Sequence, residues 1–137
     1  MQLLIVEDEL EMLECLRTYF AQNGHQVASA CSVDEAMACL NRSKPDVAFV
    51  DMLLPGGHGR RIIQEIARRQ LPTRVVIITA CDDLELRREM LGYGVCAYLF
   101  KPVTISDLNA LLNSDLLDPA RGSDALPSDE PLRANDS

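Results

Sequence analysis

Residues 47–59 read VAFVDMLLPGGHG: four apolar residues deliver the chain to Asp51, three more follow, then Pro55 and a glycine cluster. Burying charge is expensive. A carboxylate at the mouth of an apolar strand is therefore either an ordinary strand end, where Asp is common, or a group placed there for chemistry. The rest of the chain decides between the two.

The 137 residues suit one domain, and a hydrophobic content of 47% supplies a core. No apolar run approaches the roughly 18–20 residues of a membrane span. The start, MQLLIVEDE, has neither the basic n-region nor the cleavage pattern of a signal peptide. The sequence thus predicts a cytoplasmic protein with no membrane partner. Its formal net charge of −8, from 21 acidic and 13 basic residues, argues against direct nucleic-acid binding by this domain. The five cysteines (Cys15, Cys31, Cys39, Cys81 and Cys96) are odd in number and form no CxxC pair. That spacing predicts small, mostly buried thiols rather than a disulfide framework or a zinc site.

Short apolar runs alternate with helical patterns. Strands are predicted over 2–6, 26–30, 46–50, 74–79 and 95–100, the second more polar, as suits an edge. Helices are predicted over 10–24, with Leu10, Leu13, Leu16 and Phe20 at helical spacing, over 32–42 behind a Ser32/Glu35 capping box, over 59–70, over 83–94, and over 104–117. Unalternating apolar strands imply a sheet covered on both faces, and right-handed crossovers then give an open, doubly wound parallel α/β sheet. From residue 118 the chain is rich in Pro, Asp and Ser and lacks periodicity. The expected organisation is a domain over 1–117 and a disordered tail or linker over 118–137.

In such a sheet the carboxyl ends of the strands converge on one edge, where ligands bind. Glu7, Asp8 and Glu9 follow strand one, Asp51 follows strand three, Thr79 ends strand four, and Lys101 and Pro102 follow strand five. Lys101 is one of only two lysines. Clustered carboxylates repel one another and call for a cation, and hard oxygen ligands suit Mg²⁺. An Asp beside a metal and a fixed ammonium is a competent phosphoryl acceptor, because both neutralise charge on the transferring oxygens.

The motifs LIVEDE, VDMLLPGGHG, VVIITA and YLFKP, in this order and spacing over about residues 1–117, resemble the response-regulator receiver domains of two-component signalling. The resemblance implies a flavodoxin-like sheet of order 2-1-3-4-5. It implies a switch module that catalyses transfer to itself without being an independent enzyme. Asp51 would be the phosphoacceptor. Glu7, Asp8, Asp51 and the backbone carbonyl of Leu53 would hold Mg²⁺, Glu7 through water. Lys101 would contact the phosphoryl group and form a cis peptide with Pro102. Thr79 would be the switch hydroxyl with small Ala80 beside it, Tyr98 the aromatic that changes rotamer, and Gly59 the glycine closing the loop after the acceptor.

His58 departs from the Asp, Ser or Asn often found at its position and is expected to be a solvated side chain, not a phosphodonor. Leu53 and Cys81 stand where side chains influence water access to an acyl phosphate, and both bond hydrogen weakly, which implies a long-lived phosphoryl group. The implied partners are a cognate sensor histidine kinase or phosphotransfer protein, docking through helix 9–22, and a downstream effector or a C-terminal output domain. They would be read through the fourth helix, fifth strand and fifth helix, with Arg87 and Arg88 as contacts or as ordinary solvated arginines. A phosphorylation-linked homodimer stays open. A haloacid-dehalogenase-type phosphatase would want an acid at Leu53. A flavin or nucleotide binder would want a Ser/Thr/Gly-rich loop where Glu7, Asp8 and Glu9 stand.

Overall fold

The computed structural model describes residues 1–54 and 57–114. The predicted tail, the last three residues of the expected domain, and Pro55 and Gly56 lie outside the described residues.

The elements follow in order: β1 (Gln2–Val6), α1 (Leu10–Gln22), β2 (Gln26–Ala30), α2 (Val33–Arg42), β3 (Val47–Asp51), β4 (Leu53–Leu54), β5 (Gly57–His58), α3 (Arg60–Arg68), β6 (Arg74–Thr79), α4 (Leu84–Gly92), β7 (Ala97–Phe100) and α5 (Ile105–Leu112). The main sheet has the order β2-β1-β3-β6-β7, and every pairing in it is parallel. Counting its five strands alone gives the expected 2-1-3-4-5. The short antiparallel β4–β5 pair was not foreseen, because two-residue strands leave no periodic trace. β3 includes Asp51, one residue beyond its predicted end, and β7 starts two residues after its predicted start.

Strand side chains alternate between two apolar layers. Leu4, Val6, Ala48, Val50, Val75 and Ile77 pack with α2, α3 and α4. Leu3, Ile5, Val47, Phe49, Val76 and Ile78 pack with Leu13, Leu16 and Phe20 of α1 and Leu108, Leu111 and Leu112 of α5. Both faces are covered, which is why these strands are apolar throughout. β2 is the more polar edge strand, with only Ala30 fully buried.

Some local expectations are corrected. Leu10 opens α1 but is 67% exposed, because the apolar stripe begins at Leu13. Of the cysteines, only Cys39 and Cys96 are buried; Cys15 and Cys81 are exposed, and all five are free. At Ser32 half of the capping box forms: Ser32 Oγ accepts from Glu35 N–H at 3.2 Å. The Glu35 carboxylate reaches past the cap to the Cys31 N–H at 3.0 Å. The full box stands at Thr104 and Asp107, where the shorter acid meets the cap's own N–H at 2.8 Å.

α3 ends in a Schellman turn. Gln70 N–H donates to Ala67 O at 3.0 Å and Leu71 N–H to Ile66 O at 3.1 Å. Gln70 occupies the left-handed position, at φ 54°. Glycine holds the matching positions after α1 (Gly24) and α4 (Gly94), which is why the α3 stop carried no sequence signal. A Cβ is strained at such φ, so Gln70→Gly is expected to stabilise the fold by about 0.5–1 kcal/mol. Urea unfolding checks this as a rise in midpoint at unchanged slope.

Candidate functional site

β1 and β3 are neighbours, while the chain leaves them toward opposite edges of the sheet. A crevice opens at such a reversal, at the carboxyl ends of the strands. Glu7 and Asp8 follow β1 there, and Asp51 closes β3 there. The structure brings together Glu7, Asp8, Asp51, Thr79 and Lys101 at this edge, as the sequence predicts.

Glu7 is 2% exposed and Asp51 4%. Each is held by the backbone near it. Glu7 Oε2 accepts the Glu9 N–H at 3.1 Å, and Asp51 Oδ1 accepts the Leu53 N–H at 3.1 Å. Lys101, half-buried, supplies the positive charge. Its Nζ lies 2.9 Å from Asp51 Oδ2 and 3.0 Å from Glu7 Oε1, with Glu9 Oε1 at 3.8 Å. The Lys101 backbone N–H donates to Thr79 O at 2.8 Å, and the Lys101–Pro102 peptide is cis. The ammonium therefore bridges carboxylates carried by two other strands.

Burial pushes the Glu7 carboxyl above its ordinary value, and the Asp51 charge adds to the rise; the Glu9 amide and Lys101 offset this only in part. At Lys101 burial works to lower the pKa, but the hydrogen bonds to Asp51 and Glu7 outweigh it and the pKa is raised. The lysine is fixed as a cation.

One carboxylate oxygen from each of Glu7, Asp8 and Asp51 lies within 4.8 Å of the others, with Asp8 exposed at the mouth. Three carboxylates exceed the charge of one ammonium. This all-oxygen donor set fits a small, hard divalent cation. The Leu53 peptide is tied to Asp51 through its N–H, which keeps that backbone beside the cluster.

Thr79 ends β6 fully buried, and its Oγ1 accepts the Cys81 N–H at 3.1 Å. That bond links the hydroxyl to the loop entering α4. Tyr98 lies deep in the fold. Its ring is 1% exposed and already packed within the α2–α3–α4 layer, so no inward movement is left to it from this conformation. Its hydroxyl is buried without a hydrogen-bond partner.

Gly59 is fixed by close approach. A Cβ there would stand 2.5 Å from Asp51 O and 3.0 Å from Met52 Cα. Any side chain would push against the Asp51 backbone. His58 is not simply solvated: half-buried, its Nδ1 accepts the Arg60 N–H at 3.1 Å. Burial, and then the nearby Arg60 charge, lower its pKa. It thus caps the first turn of α3, a role an imidazole gives no sequence warning of. Arg60 Nε also pairs with Glu89 of α4 at 3.3 Å. Arg88 is exposed, whereas Arg87 is half-buried with its Nε unpartnered.

The family model for the response regulator receiver domain matches residues 3–113. The chain is 34% identical over 117 residues to the phosphate regulon transcriptional regulatory protein PhoB of Escherichia coli, covering 82% of this chain and 50% of that protein. It is 32% identical over 114 residues to the two-component response regulator PhoP of Pseudomonas aeruginosa, covering 83% and 51%. The chain spans about half the length of these curated relatives. A CheY-like response regulator receiver domain protein from Methanospirillum hungatei superposes with a TM-score of 0.81 over 88% of this chain and 96% of that one, at 23% identity, a likeness of fold alone.

Burial raises the Tyr98 pKa to about 12 from its ordinary 10, with the nearby Cys81 and Asp83 adding to the rise. The neutral phenol is thus favoured in the fold. Its contribution to stability is present below pH 10 and lost as pH rises toward 12. Tyr98→Phe removes an unsatisfied hydroxyl, so the variant is expected to be as stable as wild type or up to about 1 kcal/mol more stable at neutral pH. It is also expected to lose less stability between pH 10 and 12. Urea midpoints for both proteins at neutral and alkaline pH check this.

Proposed function

The chain belongs to the response regulator receiver family, and from that premise we propose that it accepts a phosphoryl group on Asp51 and converts it into a change of surface at α4, β7 and α5. The observation that carries the proposal is the Asp51 carboxylate, nearly buried, 2.9 Å from the Lys101 ammonium and clustered with Glu7 and Asp8.

A carboxylate oxygen of Asp51 attacks the phosphorus of a phosphohistidine on the donor protein. The P–N bond breaks, an acyl phosphate forms, and the leaving imidazole takes up a proton. Lys101 holds the acceptor in place and remains to pair with the phosphoryl oxygens. Glu7, Asp8, Asp51 and the Leu53 carbonyl would hold Mg²⁺, which when bound draws charge from the transferring oxygens. The protein is its own substrate here and no independent metabolic enzyme.

The new group carries about −1.5 to −2 charges at neutral pH and needs donors. Thr79 can turn its hydroxyl proton toward it while still accepting from Cys81. The loop to α4 is then held closer to the site. In this reading the described inward packing of Tyr98 is the state that the phosphoryl group favours. The competing state frees the unsatisfied Tyr98 hydroxyl toward solvent. A hundredfold preference between the two corresponds to about 2.7 kcal/mol.

The partners follow from this reading. A histidine kinase or phosphotransfer protein in the cytoplasm supplies phosphate, and an effector, an output domain or a second copy reads the α4–β7–α5 face. Regulation of transcription, which PhoB carries in its name, belongs to a longer protein, half of which the match covers. For this chain it is proposed only through such an output.

Intact-mass spectrometry after incubation with acetyl phosphate and Mg²⁺ tests the proposal. One added phosphate is expected in wild type, and none without Mg²⁺ or in Asp51→Ala. No adduct, together with no Mg²⁺-dependent beryllofluoride binding, overturns it.

Leu53 is 53% exposed beside the acceptor and cannot orient an attacking water. The acyl phosphate is therefore expected to persist, and Leu53→Asn to shorten its lifetime. A lifetime of seconds, unchanged by that substitution, would contradict this.

A further inference from the structure

The Lys101 ammonium has three N–H donors to place, and two of its partners are firm. Nζ lies 2.9 Å from Asp51 Oδ2 and 3.0 Å from Glu7 Oε1, both on nearly buried carboxylates that the backbone also holds. The third partner is of another kind. Glu9 Oε1 stands at 3.8 Å, within reach of an ion pair but too far for a hydrogen bond. The Glu9 side chain is 68% exposed, against 19% for Lys101.

Nothing in the helix that Glu9 opens explains this lean. Glu9 is the N-cap residue of α1, yet its carboxylate caps no backbone N–H. Ser32, Asp83 and Thr104 do cap at the corresponding positions of α2, α4 and α5. The Glu9 main chain is pinned instead: its N–H donates to Glu7 Oε2 at 3.1 Å, and its C=O accepts from the Leu13 N–H at 2.9 Å. The helix dipole favours an acid at this end, but gives it no reason to turn toward Lys101. The backbone is thus held while the side chain can swing.

A phosphoryl group formed on Asp51 needs a donor from Lys101. Of the ammonium's three partners among the described residues, Asp51 and Glu7 are buried and bonded, and Glu9 alone can withdraw into water at little cost. We propose that Glu9 holds the place of a phosphoryl oxygen on Lys101 and thereby sets which phosphodonors the site accepts. Its charge opposes an arriving group in proportion to that group's own negative charge, so dianionic donors are disfavoured relative to less charged ones. The proposal rests on the reading of Asp51 as phosphoacceptor.

Two small donors test it at neutral pH with Mg²⁺: acetyl phosphate, a dianion there, and phosphoramidate, a monoanion. Rates of adduct formation are read by intact mass. Glu9→Gln removes the charge and disturbs no side-chain cap. Across about 6 Å of water-like surroundings, one charge is worth roughly threefold per donor charge. At low salt the variant is therefore expected to react about tenfold faster than wild type with acetyl phosphate and about threefold faster with phosphoramidate. At about 0.5 M salt, where the screening length is roughly 4 Å, the two proteins are expected to converge. Glu9→Asp keeps the charge and is expected to keep the wild-type ratio between donors. A binding measurement separates this from a damaged site. Beryllofluoride with Mg²⁺ is expected to bind Glu9→Gln about threefold more tightly than wild type, while Mg²⁺ alone binds no more tightly. A donor ratio unchanged by Glu9→Gln overturns the proposal, as does beryllofluoride binding that is unchanged or weaker. Wild type that gives no adduct with either donor and binds no beryllofluoride overturns the Asp51 reading itself, and this proposal with it.

Discussion

Two nearly buried carboxylates and one ammonium form the contact on which the site depends. Glu7, Asp51 and Lys101 come from the ends of three different strands, yet Lys101 Nζ lies within 3.0 Å of both acids. Removing either partner from such a contact leaves an uncompensated charge in a poorly solvated place. The strand ends are thus held in mutual position by the charges as well as by the sheet. The hydrogen bond from the Lys101 amide to Thr79 O extends the same constraint to β6. Charge, backbone and apolar layers agree on one geometry at this edge.

Around that contact Asp51 is over-determined. Leu53 N–H fixes one oxygen of Asp51 and Lys101 the other. Gly59 packs so closely on its backbone that a Cβ there would stand 2.5 Å from Asp51 O. Preorganisation of this kind means that little needs reordering when charge develops on the acceptor. By contrast, the Thr79–Cys81 bond and the unsatisfied Tyr98 hydroxyl are adjustable. Asp51 is thus bonded at both carboxylate oxygens, whereas no hydrogen bond fixes the Tyr98 hydroxyl.

Most of this was legible in the sequence. Strand ends were readable because buried strands are apolar and their first polar residues stand out, as at Glu7, Asp51 and Lys101. The topology then gathers them. What escaped detection depends on contacts between elements, or on residues acting against type. Gln70 takes a conformation that usually announces itself as glycine. His58 caps a helix where an Asp would have been recognised. Leu10 fits the helical period but falls beyond the region that β1 and β3 cover. The depth of Tyr98 could not be read, because a tyrosine three residues before a lysine fits both an inward and an outward rotamer.

The direction of the strands has a consequence for how this fold can be joined to others. β1 begins at the amino edge and α5 returns to it, so both ends of the described fold open on the side away from Glu7, Asp51 and Lys101. The fold is portable: polypeptide can be spliced to either end without shadowing the reactive pocket or altering who can approach it. A module joined at either end starts on the far side of the sheet from Asp51.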